Sequence, residues 1–225
     1  MSKIFVPSSG PGDWRCLLAN PQKHWARGYS ARTLAHSWED IDGFPAEISQ
    51  ALSMVPELEE IEPLLMFPEW KVPLPGGSSP SQSDIWMLAK CKAGLVSIAI
   101  EGKVEESFDD PLGVWRKNAS SGKLKRLKYL LQKLDLQEPI SDKIHYQLLH
   151  RTASAVIEAQ RFNASQSAML VHSFGSTDQH FKHFQSFVSL YGADIAIGQP
   201  CTVKAADNMP LHLCWVHGDK RYLKA

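Results

Sequence analysis

Apolar positions along the chain change period several times, and each change marks an element. Ala31, Leu34, Ala35 and Trp38 recur at helical spacing after Ser30, which reads as an N-cap; Asp42 and Gly43 close that helix. Phe44 and Pro45 open a second helix, with Ile48, Leu52 and Val55 as its buried stripe. The proline-punctuated apolar stretch at 62–75 predicts an edge or irregular strand. Two continuous apolar runs, Ile85 to Ala89 and Leu95 to Ile100, predict buried strands joined by a turn at Gly94. A helix from about Gly122 would turn Leu124, Leu127, Leu131 and Leu134 inward. A longer helix spans about 145–162, with Leu149, Ala153, Val156 and Gln160 on one stripe. Gln147, Arg151, Ser154 and Glu158 lie on the neighbouring stripe. A strand at 168–174, a helix at 179–191 and a strand at 211–216 complete the pattern.

Helices, three strands, helices, strand, helix and strand in that order predict an α/β fold with a mixed central sheet flanked by helices. One domain over 1–225 is expected, with an N-terminal arm at 1–29, a core at 30–174 and a C-terminal helix and strand extension at 175–225. The 24 basic and 24 acidic residues cancel, so no whole-molecule field draws in a polyanion. A local basic patch is still allowed, and Lys123, Lys125, Arg126 and Lys128 form one that reads first as a solvated helix face. Cys16, Cys91, Cys201 and Cys214 show neither disulfide nor zinc spacing, and no leader or membrane span is evident. A reducing cytoplasm is the expected location, with no membrane partner.

The second strand run ends in Glu101, Gly102 and Lys103. Side chains alternate along a strand, so Glu101 and Lys103 project together while Ile98, Ile100 and Val104 face the other way. A charged pair at the rim of a buried sheet is costly unless it is paired or binds something. Asp84 opens the preceding strand and supplies a second acid. Phosphodiester hydrolysis needs charge neutralisation, an activated water and help for the leaving oxygen. Mg²⁺ takes hard oxygen ligands, usually one or two carboxylates plus waters. Asp84 and Glu101 can supply the carboxylates and the Gly102 carbonyl a third oxygen, with Lys103 orienting the water. Glu39, on the flank of the first helix, is a candidate outer acid. Gln147 and Arg151 are candidates for contacting the phosphate. Nine histidines raise the question of a transition metal, but none has a recognised ligand spacing. His172 and His212, set among apolar strand residues, read instead as hydrogen-bonded core groups.

An acid, a variable gap, and Glu-x-Lys ending a buried strand resemble the PD-(D/E)XK, or restriction-endonuclease-like, nuclease superfamily. The stretches around Lys71, Asp84, His145 to Ser154 and Met169 to Phe174 are also similar to a bacterial family of unknown function placed in that superfamily. The resemblance implies a core of helix, three strands, helix and strand, and Asp84, Glu101 and Lys103 as catalytic positions. It further implies Mg²⁺ or Mn²⁺ as cofactor and nucleic acid, DNA first, as partner. Two departures stand out. Ser83 rather than Pro precedes Asp84, and Arg151 stands where some relatives have Tyr four residues after a helix Gln. Three readings therefore stay open: a metal-dependent nuclease, a nuclease-fold binding module without catalysis, and a small-molecule hydrolase. An exposed edge strand would also allow a homodimer.

Overall fold

In the computed structural model, which describes residues 4–225, the apolar runs assemble into one six-stranded sheet. The first three residues of the expected arm lie outside the described residues. The chain forms α1 (Pro21–His24), α2 (Ser30–Glu39) and α3 (Ala46–Leu52), then β1 (Glu62–Val72), β2 (Ser81–Cys91) and β3 (Gly94–Lys103). Next come α4 (Leu112–Trp115), α5 (Ser121–Leu134), α6 (Tyr146–Arg161) and β4 (Gln166–Ser173). Helix α7 (Phe181–Val188), β5 (Cys201–Lys204) and β6 (Pro210–His217) follow. The spatial order is β1-β2-β3-β4-β6-β5. The first three strands form an antiparallel meander, β3, β4 and β6 run parallel, and β5 returns antiparallel to β6. The fold is thus mixed α/β with helices on both faces, as the element order predicts.

Strand alternation explains the two cores. Val96, Ile98, Ile100 and Val104 join Ile85 and Met87 beneath α2, α3 and the buried Trp14. On the opposite face Met169, Val171 and Trp215 meet Leu148, Leu149 and Val156 of α6 and the leucines of α5. Ser120 caps α5 by accepting the Lys123 N–H, and Asp135 in the left-handed region ends it. Each fully buried leucine on its inner stripe contributes roughly 1.5–3 kcal/mol of burial free energy. That stripe is Leu127, Leu130, Leu131 and Leu134; Leu124, expected inward, is 52% exposed. It lies in the first turn of α5, one turn before the buried residues begin at Leu127. Gly94 closes the β2–β3 hairpin at φ +114°, and a Cβ there would lie 2.9 Å from Ser165 Oγ.

Two further boundaries differ from expectation. Strand β5 is only four residues long and follows Gly198 and Pro200, too short for a hydrophobic period to register. The helix expected over 179–191 ends as α7 at Val188, followed by one 3₁₀ turn, Ser189–Tyr191. The outer edge of β1 is partly covered: Ile4 bridges Met66, and the Phe5 N–H donates to the Met66 carbonyl at 3.1 Å. That cover blocks pairing of a second copy at this point.

His172 and His212 are fully buried and hydrogen-bonded, as read from their strand positions. His172 Nδ1 accepts from Trp38 Nε1 at 3.2 Å, and its Nε2 meets Glu47 Oε1 at 2.8 Å. His212 lies between Thr202 Oγ1 and Gln166 Oε1, each 2.9 Å away. Burial depresses the His212 imidazole to about 4. The folded state therefore holds it neutral. Its stabilisation is present above the ordinary histidine value and is lost as pH falls from 6.5 toward 4, by up to about 3 kcal/mol. Urea midpoints measured across that window are expected to fall steeply in the parent and less steeply in His212→Gln.

Candidate functional site

Strand register brings the acids together. Ile85 pairs with Ile100, so continuing the ladder by one residue sets Asp84 opposite Glu101. Pro68 pairs with Ile85 and Trp70 with Ser83, which sets Glu69 opposite Asp84 on the other side. Three neighbouring strands thus carry one carboxylate each at the same level. Helix α6 crosses above them and contributes Gln147 and Arg151 from successive turns.

Glu101 is 3% exposed and Lys103 4%, and they form one buried network with α6. Lys103 Nζ donates to Glu101 Oε1 at 3.0 Å and to Gln147 Oε1 at 3.2 Å. Gln147 Nε2 donates to the same Glu101 oxygen at 2.7 Å, and Arg151 Nε to Glu101 Oε2 at 2.7 Å. Lys103 Nζ also lies 4.7 Å above the Phe108 ring. Asp84 Oδ2 accepts the Gly102 N–H at 2.8 Å. The backbone packs closely there: a Cβ would stand 3.2 Å from Leu34 Cδ2, which would have to shift by a few tenths of an ångström, and 3.4 Å from Asp84 Oδ2. What Gly102 offers Asp84 is thus its amide, in addition to the carbonyl considered from the sequence.

The electrostatics are uneven. Burial, reinforced by the negative charges of Glu101 and Glu69, pushes Asp84 well above the ordinary carboxylate range. Burial also raises Glu69, to about 7, against the pull of Gln82 and Arg151. At Glu101 burial acts upward too, but Lys103 and then Arg151 outweigh it and hold the carboxyl below its usual value. Burial opposes the Arg151 charge, yet Glu101 and Asp84 keep the guanidinium more firmly protonated than usual. Glu101 is therefore the settled anion of the group, and Asp84 and Glu69 are carboxylates short of positive charge.

These side chains line a pocket of about 310 Å³. Its floor is Glu69, Gln82, Asp84, Glu101, Lys103, Gln147 and Arg151, and Glu106 stands beside them. Leu18, Ala19, His24, Tyr29, Ser30 and Ala31 wall it from the arm and the start of α2. Asp84, Glu101, Lys103, Gln147 and Arg151 all come together as sequence spacing suggests. Glu39 does not. It lies at the far end of α2, where its Oε1 accepts from Trp14 Nε1 at 2.7 Å and Ser8 Oγ at 2.6 Å. The reason is helix direction: α2 presents its N-terminus to the pocket, so its last residue is carried away and pins the arm. Glu105 also turns away, accepting from the Ser176 N–H at 2.9 Å and Ser176 Oγ at 2.7 Å. Ser30 is the first helical residue rather than the cap, and its N–H donates to Glu106 Oε1 at 2.8 Å.

Sequence reading missed Glu69, Glu106 and Tyr29. The signal for Glu69 was available only through register, because it sits in a left-handed backbone conformation (φ 54°) right after Pro68. Among the described residues no three His, Cys, Asp or Glu side chains form a ready-made metal-ligand group. Likewise no helix among them is long and apolar enough to cross a membrane. The basic face of α5 is partly structural, since Arg126 Nε donates to the Pro75 carbonyl at 3.0 Å.

A family model described as a domain of unknown function (DUF6946) matches residues 7–220. No curated protein and no solved structure matches the chain.

Proposed function

This chain belongs to the DUF6946 family, and we propose that it hydrolyses phosphodiester bonds of DNA with a divalent cation held at Asp84 and Glu101. The proposal includes a restriction-endonuclease-like core made of α2, the meander β1 to β3, the helix α6 and β4. The observation that carries it is the excess of carboxylate in the pocket. Among the described residues that line the pocket, Glu69, Asp84, Glu101 and Glu106 meet two firm cations, Lys103 and Arg151. A phosphate would be repelled by that set alone, whereas a divalent ion complements both the acids and the phosphate. One or two carboxylates with waters suit Mg²⁺ or Mn²⁺, so the pair opposite each other on β2 and β3 fits such an ion. When bound, the ion would neutralise phosphate charge and make a water more acidic.

The chain's own groups do the rest. Lys103, fixed by Glu101 and Gln147, holds an ammonium where negative charge develops and orients the attacking water. Arg151 spends only its Nε on Glu101, and no hydrogen bond engages either Nη among the described residues. Those two groups are free to bind a phosphate oxygen. Gln147 keeps Lys103 and Glu101 in register.

A binding module without catalysis is the second reading, and the saturation of Glu101 by Lys103, Gln147 and Arg151 favours it. Incubating the purified chain with plasmid, linear and single-stranded DNA in Mn²⁺ separates the two. Cleavage that falls about 10²-fold or more in Lys103→Ala is the expected result. Equal cleavage by parent and variant would put the activity outside this site, and none by either would favour the binding module.

A further inference from the structure

The arm that walls the pocket carries exposed cations and an aromatic ring that the metal chemistry does not use. Lys23, His24, Arg27 and Tyr29 are all exposed. Tyr29 is 44% exposed, it is one of the residues lining the pocket, and its hydroxyl makes no hydrogen bond among the described residues. It occupies the cap position of α2 without a side-chain cap bond, so capping does not account for a tyrosine there. The wall is held in place. Trp14 and Ser8 anchor the arm on Glu39, and Asn20 Oδ1 accepts the Lys23 N–H at 3.1 Å to start α1. A pocket of about 310 Å³ with a fixed wall on one side is at the small end for bound molecules and suits about one nucleotide rather than a duplex.

We infer that Tyr29 is a base-stacking platform and that the polymer enters as single-stranded DNA, with one nucleotide in the pocket. The inference rests on the phosphodiesterase reading and narrows its substrate. Arg151 and the exposed Tyr29 line the same pocket, so a phosphate held at Arg151 leaves its sugar and base to the arm side, where Tyr29 stands. Lys23 and Arg27, exposed on the same arm within six residues of Tyr29, are the cations available to neighbouring phosphates. Aromatic stacking tolerates every base, so no sequence preference is expected from it.

The test is fluorescence anisotropy with labelled oligo-dT and with the dT·dA duplex of equal length, in Ca²⁺. The parent is expected to prefer the single strand by about tenfold or more, and Tyr29→Ala to lose about tenfold on the single strand alone. Tyr29→Phe, which keeps the ring, restores binding. Equal single-strand affinity in Tyr29→Ala, or duplex bound as tightly as single strand, overturns the inference. So does failure of the single strand to bind a parent that still binds Mn²⁺. Failure of the parent to bind Mn²⁺ in a separate titration counts against the metal reading instead. A Tyr29-dependent single-strand preference would then still support the platform.

Discussion

Asp84→Asn is expected to melt at a higher temperature than its parent in EDTA, while its DNA cleavage in Mn²⁺ falls by about 10²-fold or more. The two effects share one cause. Asp84 is pushed up by burial and by Glu101 and Glu69, so its ionised form is a burden in the folded, metal-free protein. Asparagine keeps an oxygen for the Gly102 N–H while removing the charge. The sign fixes a pH dependence. A carboxyl raised on folding favours the fold below its unfolded value, and that advantage is lost as pH rises through the folded value. The variant's advantage should therefore be absent near pH 3 and grow toward neutrality. A residue kept for stability would behave the opposite way, and a gain in stability with a loss of activity marks a site strained for function.

Glu101→Ala is expected to lose activity as well, but to lose stability too, by about 3–5 kcal/mol in urea denaturation. The contrast follows from the partners. Glu101 is the anion shared by Lys103 and Arg151, with side chains only 5% and 12% exposed. Truncation leaves both buried cations without the counter-charge they are hydrogen-bonded to and removes the acceptor of three hydrogen bonds. Two carboxylates facing each other across β2 and β3 should thus move stability in opposite directions. If both variants are destabilised alike, Asp84 is an ordinary structural acid.

Much of this centre was legible before any coordinates, and the reasons are local. Alternation along the apolar run at 95–100 fixes Glu101 and Lys103 on the face away from Ile98 and Ile100, and the fold keeps that parity. Helical period likewise puts Gln147 and Arg151 on one stripe of α6. What was illegible depends on how elements meet. Glu39 has a suitable side chain, but α2 points its other end at the pocket. Glu69 enters through β1–β2 register and a left-handed residue after a proline, neither of which periodicity encodes. Tyr29 reaches the site because the arm folds back, a contact between segments far apart along the chain. Strand β5 was missed because four residues are too few to show a period.

The most direct measurement is a calorimetric titration of the metal-free protein with Mn²⁺, run in parallel on Asp84→Asn and Lys103→Ala. The account predicts saturable binding to the parent, loss of that binding in Asp84→Asn, and binding retained in Lys103→Ala. Binding that is unchanged in Asp84→Asn, or no binding to the parent, would contradict it.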